Sequence, residues 1–402
     1  MARDAVTVRL DARPGLPAKT LWALVAAGAL AAFFVAPARE PWDLKLCLAC
    51  AETLAAGEDP YGREQIVGGV SFPCLYPPLA FDLYRPFAAM GDPVPWWNAL
   101  KVLGFAALLL LWRRVLPPGR DGWRLAFALG AFGTPFFAEY RSGNAGSLEQ
   151  LALWGTFALF IAGRYAAFAV ALAAVAQLKL QPALFLGLLL LAPKPRWKEF
   201  ALGAAVFAGL FGLNELLHPG LLGGYLSRLG DPSAAWRYER GPNNCSAWAF
   251  LQHLLETAAG SRPLASRWAS LLVVPWSCFV AAVTALSARR VATGPGTDEE
   301  KRRFVVLLGT AAFALLAPRF KDYAFFLVIP AALVALESAA PLLWRAPLLV
   351  FAALNSTKAA AERMGLGPWA LVAGYFKLYA AVLVWAVLVS LNNPWHSRRE
   401  KR

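Results

Sequence analysis

Residues 77–91 read PPLAFDLYRPFAAMG, and whether this stretch crosses a bilayer or lies on its surface decides how the rest of the chain is threaded. Asp82, Arg85 and Pro86 stand in its middle. Ionised side chains are costly at the centre of a hydrocarbon layer, and a proline removes a backbone hydrogen bond there. The segment is therefore predicted to lie at the interface, with Asp82 and Arg85 pairing one helical turn apart. Counting it as a span would reverse the loops that follow and put the basic turn from Arg113 to Arg124 outside.

On both sides of this stretch the chain is apolar. Hydrophobic residues make up 58% of the 402, charged ones 16%, and mean hydropathy is +0.49. A soluble domain carries roughly 25% charged residues. Apolar runs fall near 21–36, 95–112, 123–138, 148–163, 165–178, 181–192, 199–216, 264–288, 304–317, 323–338, 344–355 and 367–391. They predict an all-α, polytopic integral membrane protein of about 12 transmembrane segments (10–13), several too short to cross untilted. The first run ends on Val35-Ala36-Pro37-Ala38-Arg39, and the proline inside that would-be cleavage site favours an uncleaved signal-anchor.

Lys and Arg collect in cytoplasmic loops, so the basic clusters orient the spans. Arg113, Arg114 and Arg124, then Lys194 to Lys198, Arg289 to Arg303 and the tail Arg398 to Arg402 all fall on the side of the N-terminus. The expected organisation is a cytoplasmic N-terminus (1–20), one transmembrane domain (21–392) and a basic cytoplasmic tail (393–402). External loops lie near 37–94, with interfacial helices after the first span, and near 217–263. The net charge of +14 is then a topology signal. Nucleic-acid binding would need a basic soluble face, and no soluble domain is present to carry one. Membrane lipids are expected partners. No phosphate-binding glycine loop, dinucleotide fingerprint or Gly-x-Ser-x-Gly occurs, which argues against nucleotide-sugar donors, and the histidine and cysteine spacings predict neither metal nor cofactor.

The same threading places the unusual polar clusters on one side, the external one. They are Asp43 with Glu58 to Tyr61, Glu139 to Asn144, Gln177 to Pro182, Asn243 to Ser246, and Pro318 to Tyr323. Ionisable residues at membrane depth are rare and line cavities or pair with one another, so their convergence predicts a site. Cys47, Cys50, Cys74 and Cys245 fall outside and allow three two-bridge pairings; a bridge from Cys74 to Cys47 or Cys50 would staple the first loop. Cys278 is expected to be buried in a span.

Asp43 after the first span, Gly57-Glu58-Asp59-Pro60-Tyr61, Tyr76-Pro77-Pro78-Leu79, Gly143-Asn144, Lys179-Leu180-Gln181-Pro182, Asn244-Cys245-Ser246 and Pro318-Arg319-Phe320-Lys321-Asp322-Tyr323 resemble, in that order, glycosyltransferase family 87. The resemblance implies a fold of the GT-C type and a membrane hexosyltransferase. It implies transfer of a sugar, mannose in related enzymes, from a polyprenyl-phosphate donor to a lipid or glycan acceptor at the extracytoplasmic face of the cell membrane, with inversion.

An acceptor hydroxyl must lose a proton as it attacks, and the resemblance gives Asp43 as the base. The bland alternative makes Asp43 the N-cap of a helix. A lipid phosphate needs cations, for which Arg319, Lys321 and Lys179 are candidates. Candidate sugar or acceptor contacts are Asp59, Tyr61, Tyr76, Asn144, Asn244, Asp322 and Tyr323. Asp59 fits a type I turn equally well, and tyrosines at such depths are commonly interfacial anchors. The competing function is a polytopic transporter or lipid-linked sugar flippase, which would share short broken spans and intramembrane charges.

Overall fold

Residues 77–91 fold as two short helices, Pro78–Asp82 and Arg85–Ala88, with Tyr84 buried between them. Five helical residues rise about 7.5 Å, far short of a hydrocarbon core of about 30 Å. Arg85 Nε lies 2.9 Å from Asp82, as the spacing predicts, and the same carboxylate meets His218 Nε2 at 2.8 Å.

The computed structural model describes residues 41–116, 121–133, 135–231, 239–241, 243–338, 342–353 and 369–391. The expected first span (21–36), the N-terminus (1–20) and the tail (393–402) lie outside the described residues. In chain order the helices are α1 (Trp42–Ala55), α2 (Pro78–Asp82), α3 (Arg85–Ala88), α4 (Val94–Val115), α5 (Asp121–Gly130), α6 (Pro135–Ser142), α7 (Gly146–Ile161), α8 (Tyr165–Val175), α9 (Leu188–Leu191), α10 (Trp197–Leu217), α11 (Leu221–Gly230), α12 (Ala247–Ala259), α13 (Arg262–Thr293), α14 (Asp298–Leu316), α15 (Ile329–Glu337), α16 (Leu342–Ala353), α17 (Trp369–Gly374) and α18 (Phe376–Ser390).

The chain is mostly helical, as expected, but only α4, α10 and α13 among the described helices are long and apolar enough to cross a membrane. The count of about twelve spans is therefore not reproduced. Several predicted spans are broken. The 123–138 run stops at Gly130, kinks at Phe132 (φ 52°) and resumes at Pro135. Those at 181–192 and 323–338 begin as 3-10 turns, Gln181–Gly187 and Asp322–Val328, before α9 and α15. Both turns follow directly on the segments that carry Lys179 and Lys321.

At the centre lies α14, opened by a capping box between Thr297 and Glu300 and buried from Phe304 to Leu308 and from Thr310 to Leu315. A helix apolar all round needs neighbours all round, and α14 packs on α7, α13 and α18. Basic side chains gather at one end of the bundle. Arg113 and Arg114 close α4, Arg124 pairs with Glu337 (2.6 Å), Arg302 Nε donates to Ile161 O (2.7 Å), and the Arg196 guanidinium sits 4.6 Å from the Tyr165 ring. At the other end, α1 lies against α2, α3 and the hairpin of β1 (Gln65–Val67) and β2 (Val70–Phe72). Gly68 and Gly69, both at positive φ, make its two-residue turn, and Phe72 stacks on Trp42 at 5.2 Å.

Of the two bridges considered for Cys74, the structure forms Cys50–Cys74, tying α1 to the segment after β2. Cys47 and Cys245 are buried and lie outside this bridge, and Cys278 on α13 is exposed among the described residues, contrary to expectation. Gly143 locks α1 to the turn after α6. Its φ is +75°, and an added Cβ would sit 2.6 Å from Pro41 Cβ and 2.9 Å from Leu44 Cβ.

Two outcomes follow for stability. Cys50→Ser should lower the thermal midpoint of the purified protein, the bridge being worth about 2–4 kcal/mol, and labelling of Cys74 should then no longer require reductant. Gly143→Ala should destabilise by roughly 1–3 kcal/mol in the same melt, because both the backbone and the Pro41 contact resist it. A wild-type midpoint in either variant would contradict the packing.

Candidate functional site

Pro41 occupies the N-cap of α1, so Asp43 is the second residue of the helix and does not cap it. Its Oδ2 accepts a hydrogen bond from Asn144 Nδ2 at 3.0 Å. The N-cap alternative therefore gives way to a cross-chain contact between residues 101 positions apart. Asp43 is 7% exposed and Asn144 2%. Burial raises the pKa of Asp43, opposed in turn by Lys321, by the Asn144 hydrogen bond, and by Lys179 and Arg319. The three cations expected for a phosphate thus all act on this carboxylate.

A rigid turn presents Asn144. Trp97 and Lys101, one helical turn apart on α4, donate to Gly143 O (2.8 Å) and Glu139 O (2.7 Å). Ser142 Oγ accepts from Asn144 N at 3.2 Å, while Glu139 Oε1 accepts from the amide and hydroxyl of Ser147 at 3.0 and 3.1 Å. Lys101 and Glu139 are fully buried and 3.6 Å apart. This pair removes the backbone freedom that would let Asn144 swing away from Asp43.

Each cation is held differently. Lys179 is bound to Glu149 at 2.5 Å and lies 5.8 Å from the rings of both Tyr76 and Tyr323. Burial works against its charge, but Glu149, Tyr76 and Asp43 outweigh burial and hold its pKa above the ordinary lysine value. Arg319 directs Nε and an Nη at one oxygen of Glu239, at 2.9 and 2.6 Å. Lys321 sits 5.1 Å from the Trp42 ring and 6.0 Å from that of Tyr323, with no carboxylate at salt-bridge distance among the described residues. Burial and the nearby Arg319 push its pKa down, against the attraction of Asp43. Tyr76, Tyr323 and Trp42 therefore wall the centre and face its cations. Cys47, one turn after Asp43, has its thiol pKa pushed up to about 12 by burial and by that carboxylate, which makes it a poor nucleophile.

Other expected contacts lie elsewhere. Asp59 is exposed and accepts from Tyr61 N at 2.8 Å, the turn role that its sequence also allowed. Tyr61 is buried against Phe81 and Tyr225, and its hydroxyl donates to Tyr76 O at 2.7 Å. Both residues line a cleft that does not include Asp43. Asn244 Oδ1 is occupied by the backbone amides of Ser246 and Phe320 at 3.2 and 3.1 Å, so it joins two loops. The Asp322 side chain lies outside the described residues.

Sequence reasoning missed Glu149, Glu239 and Trp42. Glu149 carried a readable signal, an acid in the first turn of an otherwise apolar helix; Glu239 and Trp42 meet their cations only through tertiary packing.

A family model for glycosyltransferase family 87 matches residues 75–318. Among solved structures the chain is similar to ArnT from Cupriavidus metallidurans bound to undecaprenyl phosphate, at 14% identity and a TM-score of 0.40, over 93% of this chain and 78% of that one. No curated protein matches it. With more than half of its length matched, the chain belongs to glycosyltransferase family 87, a membrane enzyme that transfers sugars and not the transporter or flippase that its sequence alone left open.

Proposed function

We propose that the protein transfers a hexose, mannose by its family resemblance, from a polyprenyl-phosphate donor to a lipid or glycan acceptor, with Asp43 as general base. The observation that carries this reading is the grouping of one buried carboxylate with three cations, of which Lys321 is held by rings and has no carboxylate at salt-bridge distance among the described residues. An acceptor hydroxyl attacks the anomeric carbon and its proton passes to Asp43. The bond from that carbon to the phosphate oxygen breaks, and the electron pair stays on the phosphate. Lys321, Arg319 and Lys179 stabilise the growing negative charge, and attack opposite the leaving group inverts the anomeric centre in one displacement. Tyr76 and Tyr323 line the sugar's path.

The GT-C architecture, the about twelve spans and the loops at 37–94 and 217–263 are part of this proposal. Orientation follows from charge. Arg113, Arg114, Arg124, Arg196 and Arg302 occupy the end of the bundle away from Asp43, which faces that end to the cytoplasm and Asp43 to the extracytoplasmic side.

Purified protein supplied with polyprenyl-phosphate sugars should transfer, and Asp43→Asn should lower kcat by about 10²–10⁴-fold with the fold intact. Catalysis needs the ionised form of Asp43, so kcat/KM should fall as pH drops through its raised pKa. Asn144→Ala removes a hydrogen bond that favours the carboxylate, so the acid limb should move to higher pH; a limb that stays in place excludes Asp43 as base. Lys321→Gln and Arg319→Gln should each raise the donor KM by about 10- to 100-fold, matching about 1.5–3 kcal/mol for a hydrogen bond to a charged group. An unchanged donor KM in both would remove them from the phosphate site.

A further inference from the structure

A polyprenyl-phosphate sugar and the polyprenyl phosphate it leaves behind differ in charge. The donor is a phosphodiester with one negative charge, whereas the product is a monoester with a second ionisation at about pH 6 and approaches two. In the proposed step the acceptor proton passes to Asp43 as the electron pair settles on the phosphate. The site then loses a negative charge of its own as its ligand gains one. Cations that suit the donor would hold the product more tightly still, and a turnover ends only when that product leaves.

Glu239 stands where it opposes this. Its Oε2 accepts from both Nε and an Nη of Arg319, at 2.9 and 2.6 Å. Two donors on one oxygen forgo the paired fork, one donor to each oxygen, that gives arginine–carboxylate contacts their strength. The Arg319 and Glu239 side chains are 21% and 25% exposed, which leaves the guanidinium within reach of a phosphate while the acid stays beside it. The same carboxylate acts on Lys321, where Glu239 and Asp43 favour the ammonium against burial and the repulsion of Arg319 and Lys179. Its field therefore covers two of the three cations.

The acid is also fixed in place. Gly241 O accepts from Asn244 N at 3.0 Å and from Cys245 Sγ at 2.8 Å, which folds residues 241–245 into a tight turn. Cys245 N donates to Phe320 O at 2.8 Å, and Ser246 Oγ donates to Pro318 O at 2.8 Å. The segment after Glu239 is thus stitched to the residues on either side of Arg319. An acid held this way is part of the cation cluster and not a surface side chain that happens to lie near it.

We propose that Glu239 sets the charge preference of the phosphate site: beside Arg319 it disfavours the doubly charged product more than the singly charged donor, and so promotes release of polyprenyl phosphate. Glu239 takes no part in bond making and acts on the phosphate through the field it shares with Arg319 and Lys321. The inference rests on the phosphate-site reading above and deepens it.

Two probes isolate the charge: farnesyl phosphate, a monoester, and farnesyl methyl phosphate, its singly charged diester. Their binding to detergent-solubilised full-length protein is measured by calorimetry at about pH 8, where the monoester carries roughly two charges. Coulomb energy scales with ligand charge, so the factor gained by the dianion should be the square of that gained by the monoanion. Glu239→Gln should tighten the diester about threefold and the monoester about tenfold, while Glu239→Asp, which keeps the charge, should stay near wild type. Weaker binding of both probes in Glu239→Gln would make the acid only a prop for Arg319 and overturn the proposal, as would equal factors for the two probes or no change in either. Arg319→Gln separates the inference from the reading beneath it. If that variant weakens both probes while Glu239→Gln gains nothing, the phosphate site stands and the role of Glu239 falls. Indifference of both probes to Arg319→Gln removes Arg319 from the phosphate site and the proposal with it.

Discussion

A carboxylate taken out of water costs several kcal/mol unless donors and cations replace the lost hydration, and the upper end of this bundle is arranged around that requirement. Among the described residues Asp43 receives one side-chain hydrogen bond, from Asn144, and further compensation comes from positive charges. Those charges are themselves buried or half-buried and need their own partners. Glu149 and Glu239 answer Lys179 and Arg319, whereas aromatic faces hold Lys321. Such an unequal arrangement leaves Lys321, among the described residues, beside the acid with no carboxylate at salt-bridge distance, which suits an anionic leaving group.

Support for the acid comes from within the helical domain. Trp97 and Lys101 reach from α4 to the turn after α6, and Glu139 ties that turn to the start of α7. A fully buried lysine–carboxylate pair adds little net stability against an apolar substitute, so its value lies in fixing one conformation of residues 139–147. The same turn admits only glycine at position 143, where Pro41 and Leu44 close over it. The chemistry proposed for Asp43 thus depends on packing well away from any substrate.

Much of this was readable in the sequence. Long apolar runs gave the helices, Asp82, Arg85 and Pro86 correctly kept residues 77–91 from spanning, and the ordered polar motifs named the residues that now meet around Asp43. What could not be read were pairings that need the third dimension. Glu239 lies 80 residues from Arg319, and no local pattern links them. Pro182 and Pro318 mark breaks in the sequence, but hydropathy does not distinguish the 3-10 turns that follow from α-helix, as at Asp322–Val328. The hairpin at 65–72 carries a local signal, Gly68-Gly69 between apolar residues. Asp59 and Tyr61 sit close to Asp43 in sequence, but proximity along the chain misled: the turn they form looks away from it.

The Cys50–Cys74 bridge bears on how the molecule matures. Thiols pair in oxidising compartments and stay reduced in the cytosol. Under the proposed orientation, the helix that bears the acid is braced only after its loop has been exported. A copy inserted upside down would keep both thiols and lack that brace. Under that orientation, oxidation would act as a check on insertion, closing the brace only on chains whose first loop faces the oxidising side.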